Sequence, residues 1–276
     1  MVVGFSRYVA IGDSSTEGLM DPDDAGGFRG WADRLAQHVA DGQDEPLDHA
    51  NLAVRGLRAG EIRATQLEPA LALRPDLLSV FAGMNDVLSV RCDFDALRDD
   101  LEAMFAAGRA AGATVITFTM PDPGAVNPLA RGLRPRVARL DAIIRTAAAA
   151  HGVLLVDFDA YPIAVDPRLW CPDRLHNSTI GHERIAAALA WRLGVAGCDA
   201  TWTDPFPDGP ASHSVRETVA RDVDWVVHHL SPWLGRNVRH VPHGLGITAK
   251  RPVPTVVPRS DTAAGSPASQ TPATRT

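Results

Sequence analysis

Five times between Tyr8 and Gly194, a short apolar run gives way to a segment with helical spacing. The runs are Tyr8–Ile11, "PLDHANLA", "PDLLSVFAG", "ATVITFTM" and "VLLVDFD". The segments that answer them are "FRGWADRLAQHVA", with Trp31, Leu35 and Val39 on one stripe, then "AGEIRATQLEPALAL", "FDALRDDLEAMFAAGRAAG", "RPRVARLDAIIRTAAAAHG" and "TIGHERIAAALAWRLG". Such an alternation predicts an α/β protein with a five-stranded, parallel, doubly wound sheet and right-handed crossovers. The uninterrupted apolar run in the third strand suits a sheet covered on both faces. Ligands of such sheets sit beyond the carboxyl ends of the strands. There the first strand ends in "GDSS", the second in "NLAVRG" and the third in "GMND", three loops expected side by side at one edge of the sheet.

Composition narrows the partners. A formal charge of −6 argues against a nucleic-acid protein held by phosphate contacts. From Gly235 onward, however, six Lys or Arg face one acid, so the C-terminal end is basic. The three cysteines, Cys92, Cys171 and Cys198, are too few and too widely spaced for a disulfide framework or a Cys-x-x-Cys metal site. No run is long enough to span a bilayer and no signal-peptide pattern opens the chain, so a cytoplasmic location is expected.

The three loops and a fourth segment, "CPDRLHNSTIGH", hold the candidate chemistry. Taken singly, each has an ordinary structural explanation. Ser14 is a turn serine, Asn85 caps a turn, Gly56 permits an unusual backbone angle, and a lone histidine is more often structural. Together they form a set. A serine hydroxyl is a weak nucleophile until a base, usually His oriented by a carboxylate, takes its proton. A tight turn lets Asp173 reach His176 three residues on. The N–H groups of Ser14 and Gly56 and the Asn85 amide lie on three adjacent strand ends, where they can meet a developing oxyanion.

These four pieces, "IGDSSTEG", "NLAVRG", "FAGMND" and "DRLHNSTIGH", resemble the SGNH, or GDSL-type, esterases and lipases, in order and from Ile11 to His182. The resemblance implies a flavodoxin-like three-layer α/β/α sandwich, a serine esterase acting on small carboxylic esters through an acyl-enzyme, and no cofactor or metal. It implies Ser14 as nucleophile, Asp173 and His176 as its partners, and Ser14, Gly56 and Asn85 as the oxyanion hole. Ser15 stands where the family name has Leu, Arg55 precedes the oxyanion glycine, and Asn177 follows His176 as a good helix N-cap. Arg55 and Trp170 are substrate-binding candidates, with Tyr161 a further wall; solvent exposure or packing explains them equally well. His182, inside the last helix, reads as structural, and Glu17 as a residue that orients the first loop.

The main alternative is a flavodoxin-like module that cradles an anion or nucleotide on the "GDSST" turn. It lacks the Walker and dinucleotide glycine patterns and leaves Asp173 and His176 unused. A metallohydrolase built on His228, His229, His240 and His243 lacks ligand spacing. A catalytically dead member would not need an intact Ser14, Asp173 and His176. The domain reading is a catalytic domain over 1–195, an extension over 196–248 whose amphipathic helix (Val215, Val219, Val223, Val226, Leu230, Trp233) packs on the core, and a disordered tail over 249–276. A small-molecule ester is the expected partner, and the sequence leaves the oligomeric state open.

Overall fold

The computed structural model describes residues 4–209 and 246–260. The proposed helix over 215–233 and His228, His229, His240 and His243 therefore lie outside the described residues. Six strands form one sheet in the order β5–β4–β3–β1–β2–β6: β1 (Arg7–Gly12), β2 (Leu47–Asn51), β3 (Leu77–Phe81), β4 (Thr114–Phe118), β5 (Leu154–Val156) and β6 (Arg251–Val257). The first five run parallel, and β6 joins β2 antiparallel, Val257 opposite Leu47 and Thr255 opposite His49.

The helices are α1 (Ser14–Glu17), α2 (Gly30–Asp41), α3 (Ala59–Ile62), α4 (Glu68–Ala72), α5 (Met84–Leu88), α6 (Phe94–Ala110), α7 (Pro123–Val126), α8 (Arg134–His151) and α9 (Thr179–Leu193). Side chains alternate along a strand, so each parallel strand feeds two cores. Tyr8 and Ala10 point to one face, where they meet Trp31, Leu35 and Val39 of α2 and Ile185, Leu189 and Leu193 of α9. Val9 and Ile11 point to the other, against Ile62, Leu97, Leu101, Phe105, Leu140 and Ile144. The result is the expected three-layer sandwich. Trp31, fully buried, sets its ring edge against Phe118, which stacks on Phe81 at 4.2 Å. Burying side chains of this size is worth about 1.5–3 kcal/mol each.

Two expectations need correction. The sheet has six strands rather than five, and residues 251–257 of the supposed disordered tail form the sixth. Few large apolar residues and three prolines made "RPVPTVVP" read as a tail. Val and Thr favour extended backbone, and an edge strand tolerates proline. Pro252 and Pro254 are two apart, so both missing N–H groups fall on one side of the strand. The open edge of β2 supplies the hydrogen-bonding partner that composition does not reveal. Lys250 and Arg259 pin the ends of β6. Lys250 Nζ donates to the carbonyls of Phe28 (2.9 Å) and Arg29 (2.6 Å) and pairs with Asp33 (3.1 Å), while Arg259 pairs with Asp44 (3.0 Å).

With β2, β1 and β3 adjacent, the chain winds in opposite directions from β1. The crevice above β1 and β3 is the switch point where doubly wound sheets bind ligands. The three loops sit side by side as expected, inside the sheet rather than at its edge because β6 lies beyond β2.

Candidate active site

β1 ends at Gly12, and Asp13 turns the chain into α1. The Asp13 side chain caps α1, Oδ1 accepting from Ser15 N–H at 3.1 Å, which leaves Ser14 at the first helical position. Gln66 fixes the strand end, its amide both accepting from Gly12 N–H (2.8 Å) and donating to the Gly12 carbonyl (2.9 Å). It reaches there from a π-helical turn, Arg63–Leu67, between α3 and α4, a wider turn of the kind often found at functional sites. Nothing local in the sequence separates Gln66 from other helix residues, so its role appears only in the fold.

Gly18 closes α1 with φ +96°, and the backbone of Gly30 packs directly on it. A Cβ on either glycine would lie within 3 Å of the other's backbone. This close approach folds the 19–29 loop over α1. Asp21, fully buried, fastens that loop to Arg34 through two bonds of 2.8 and 3.0 Å. His182 ties it to α9, accepting from Trp31 N–H on Nδ1 (3.1 Å) and donating from Nε2 to the Leu19 carbonyl (3.2 Å). Both ring nitrogens are occupied and burial pushes the pKa down to about 4, so His182 is neutral and structural.

The fourth segment folds as a tight turn. Asp173 Oδ1 accepts from the N–H groups of Leu175 and His176, both at 3.0 Å, and Oδ2 accepts from His176 Nδ1 at 2.6 Å. Nδ1 therefore carries the hydrogen, and Nε2, an acceptor, lies 3.2 Å from Ser14 Oγ. Burial raises the Asp173 carboxyl, but the hydrogen bond and charge of His176 and the two backbone N–H groups outweigh it and hold the pKa below the usual carboxylate range. The cap of α9 is Ser178, whose Oγ accepts from Gly181 N–H (3.2 Å), one residue later than the Asn177 expected.

Ser14 and His176 open onto a cleft of about 60 Å³ lined by Asp13, Asn85 and the apolar side chains of Leu19, Phe81, Met84, Leu88, Met120 and Leu175. Asn85 Nδ2 donates to the Leu57 carbonyl (2.9 Å) and to Asp13 Oδ2 (3.2 Å). Gly56 adopts φ +81° in the turn just before Leu57; it does not itself line the cleft.

The structure does not bring the two proposed substrate-binding residues into the cleft. Arg55 sits on Glu17, its backbone N–H (2.9 Å) and its guanidinium both bonded to that carboxylate, and lies over the Phe28 ring at 5.3 Å. A buried Glu17 needs a cation, a demand that only the fold reveals. Trp170 donates to the Ala164 carbonyl (3.1 Å) and lines a separate apolar hollow with Phe118, Phe158, Ile163 and Trp202. Tyr161 packs against Trp202 at 4.6 Å. Among the described residues, no group of three or more His, Cys, Asp or Glu side chains is arranged to hold a metal ion. Nor is any described helix long and apolar enough to cross a membrane.

Fold and cleft together define an α/β protein of the SGNH hydrolase type. The sequence profile of the GDSL-like lipase/acylhydrolase family matches residues 10–184, and the chain belongs to that family. It is a hydrolase acting on ester bonds. Solved structures agree on the fold. Axe2, an acetylxylan esterase from Geobacillus stearothermophilus, superposes with a TM-score of 0.59 at 19% identity, over 72% of this chain and 100% of its own. LAE5, an alpha/beta hydrolase from the metagenome of Lake Arreo, Spain, gives 0.58 at 23% identity, over 71% of this chain and 97% of its own. TesA gives 0.56 at 21% identity, over 68% of this chain and 97% of its own. No curated protein sequence matches the chain.

Proposed function

We propose that the chain hydrolyses small carboxylic esters through an acyl-enzyme on Ser14. The observation that carries this reading is the single line of hydrogen bonds from Asp173 through His176 to Ser14 Oγ. In that line His176 Nε2 takes the Ser14 proton as Oγ attacks the ester carbonyl carbon. The bond to the alcohol oxygen then breaks, and Nε2 returns its proton to the leaving alcohol. Water repeats the sequence on the acyl-enzyme and releases the acid. The anionic Asp173 carboxylate stabilises the imidazolium that forms between the steps. The oxyanion is held by the N–H of Ser14 and the amide of Asn85, the two expected donors that line the cleft, each such donor being worth about 2.7–4 kcal/mol in the transition state.

The small, largely apolar cleft supports short acyl groups as substrates. The acetylxylan esterase among the structural neighbours is compatible with an acetyl ester as the first one to try. The test is labelling with a fluorophosphonate, followed by mass spectrometry of the tagged peptide, with p-nitrophenyl acetate turnover in parallel. A tag on Ser14, lost together with turnover in Ser14→Ala, is the expected result. Full turnover in Ser14→Ala overturns the mechanism. Absence of both label and turnover in folded protein favours the anion-binding module instead.

A further inference from the structure

Asp13 is 2% exposed, and among the described residues no Lys or Arg forms an ion pair with it. A buried carboxylate without a cation is costly, and burial pushes its pKa up to about 6. If capping α1 were its whole task, a serine would serve as well. Something else at this position requires a carboxylate.

The hydrogen bonds show what that is. Asp13 faces two donors: Ser15 N–H, 3.1 Å from Oδ1, and the Asn85 amide nitrogen, 3.2 Å from Oδ2. A carboxylate accepts at both oxygens, whereas an amide accepts at only one and a hydroxyl does not span the two. The remaining hydrogen of the Asn85 amide goes to the Leu57 carbonyl at 2.9 Å. Two acceptors at one end of the amide settle which end is nitrogen. Asn85 therefore presents its donor end on the side of the cleft that Asp13 and Ser14 also line.

Resting on the serine-esterase reading, we infer that Asp13 is a positioning residue: its carboxylate ties the turn that carries Ser14 to the amide of Asn85, and so aims the oxyanion donor. The length of the bond to Asn85 fits this role. At 3.2 Å it exceeds the 2.7–2.9 Å of strong charge-assisted bonds. It orients the amide through a hydrogen that an oxyanion forming in the same cleft can share. The raised pKa has the matching consequence. Protonation below about pH 6 turns one acceptor oxygen into a donor, which ends the double acceptance.

The experiment compares full-length Asp13→Asn, Asp13→Ser, Asn85→Ala, the Asp13→Asn/Asn85→Ala double variant and Ser14→Ala. Each is assayed with p-nitrophenyl acetate; for the variants that keep Ser14, kcat is taken per Ser14 labelled to completion by a fluorophosphonate, so that an unfolded fraction does not count, and for Ser14→Ala per mole of protein shown to be folded by circular dichroism. Asp13→Asn is expected to lower kcat about 10–100-fold with KM within about 3-fold of wild type. Asp13→Ser, which keeps a cap for α1, should lose as much. In the Asn85→Ala background the Asp13 change should cost less than about 3-fold, because the amide it positions is gone. Two results overturn the proposal: Asp13→Ser with kcat within about 2-fold of wild type, or equal losses from Asp13→Asn with and without Asn85. Ser14→Ala separates the two levels. If it retains turnover, the serine mechanism itself falls; if it is inactive while the Asp13 variants behave like wild type, only the positioning role falls.

Discussion

Two aspartate–histidine pairs sit among the described residues, and they behave differently. His176 Nδ1 lies 2.6 Å from Asp173, and its other nitrogen faces Ser14 and the open cleft. His49 Nε2 lies 3.0 Å from Asp33, but its Nδ1 is 3.2 Å from the Tyr8 carbonyl. The His49 ring is 1% exposed and stacked on Tyr8 at 4.7 Å. Asp33 in turn is shared with Lys250 and Arg251 where β6 joins the sheet. The first pair leaves one imidazole nitrogen free to exchange a proton with a hydroxyl. The second spends both nitrogens on the protein itself. An Asp–His bond is therefore no sign of catalysis until the second ring nitrogen is traced.

Replacing each histidine by glutamine separates the two pairs most clearly. His176→Gln is expected to lower kcat/KM by about 10³-fold or more with a small change in stability. His49→Gln should leave kcat/KM within about 3-fold but lower stability by about 1–3 kcal/mol, through a weakened buried bond to Asp33. Steady-state ester hydrolysis and urea unfolding of the same preparations check both. A strong kinetic defect in His49→Gln would show that the two pairs are not separate.

The next test probes what the second pair is for. Burial raises the Asp33 carboxyl, yet His49, Lys250 and Arg251 together bring it down to about 2. A carboxylate depressed below its ordinary value near 4 contributes stability above that pH and loses it as pH falls toward 2. Lys250→Met should cost about 2–3 kcal/mol at pH 7, since it strips a cation from a largely buried carboxylate. It should also flatten the acid dependence between pH 4 and 2. Urea midpoints at pH 3 and pH 7 read both effects, and an unchanged midpoint at pH 7 would mean that β6 is not anchored through Asp33.

A carboxylate whose shift has the opposite sign shows the opposite pH dependence. Asp141 on α8 accepts from Met120 N–H (2.9 Å), and burial, with Asp157 and Asp159 nearby, pushes it up to about 7 against the attraction of Arg145. A raised carboxyl contributes stability below about pH 4 that is lost as pH rises through 7. Asp141→Asn does not titrate. Its stability relative to wild type should improve by about 4 kcal/mol between pH 4 and pH 8, visible as a rise of roughly 10 °C in the relative Tm. A pH-independent difference would remove Asp141 from the ionisable core.

Much of the fold was legible because it is local. Period-2 and period-3.6 patterns, glycine stops and the order of five strand–helix units need no knowledge of distant residues. The turn that joins Asp173 to His176 was legible for the same reason: the two are three residues apart and meet through one Asx turn. What stayed hidden depends on partners far along the chain. Arg55 looked free for substrate until Glu17, 38 residues away, claimed it. Trp170 looked like a cleft wall until its hollow proved separate. Asp13 meets Asn85, 72 residues on, a pairing that no local pattern shows. The β6 segment looked like a tail because proline-rich composition does not show the bare edge of β2 that it covers.

The layered α/β architecture, the placing of the candidate site at the carboxyl ends of β1, β2 and β3, and the residue types gathered there follow from pattern along the chain. Tertiary structure alone decided which histidine keeps a nitrogen for the cleft, which carboxylates stay charged, and where the sheet ends. The reason is physical. Backbone propensity and periodicity act over a few residues, whereas desolvation and hydrogen-bond satisfaction depend on which groups burial brings face to face.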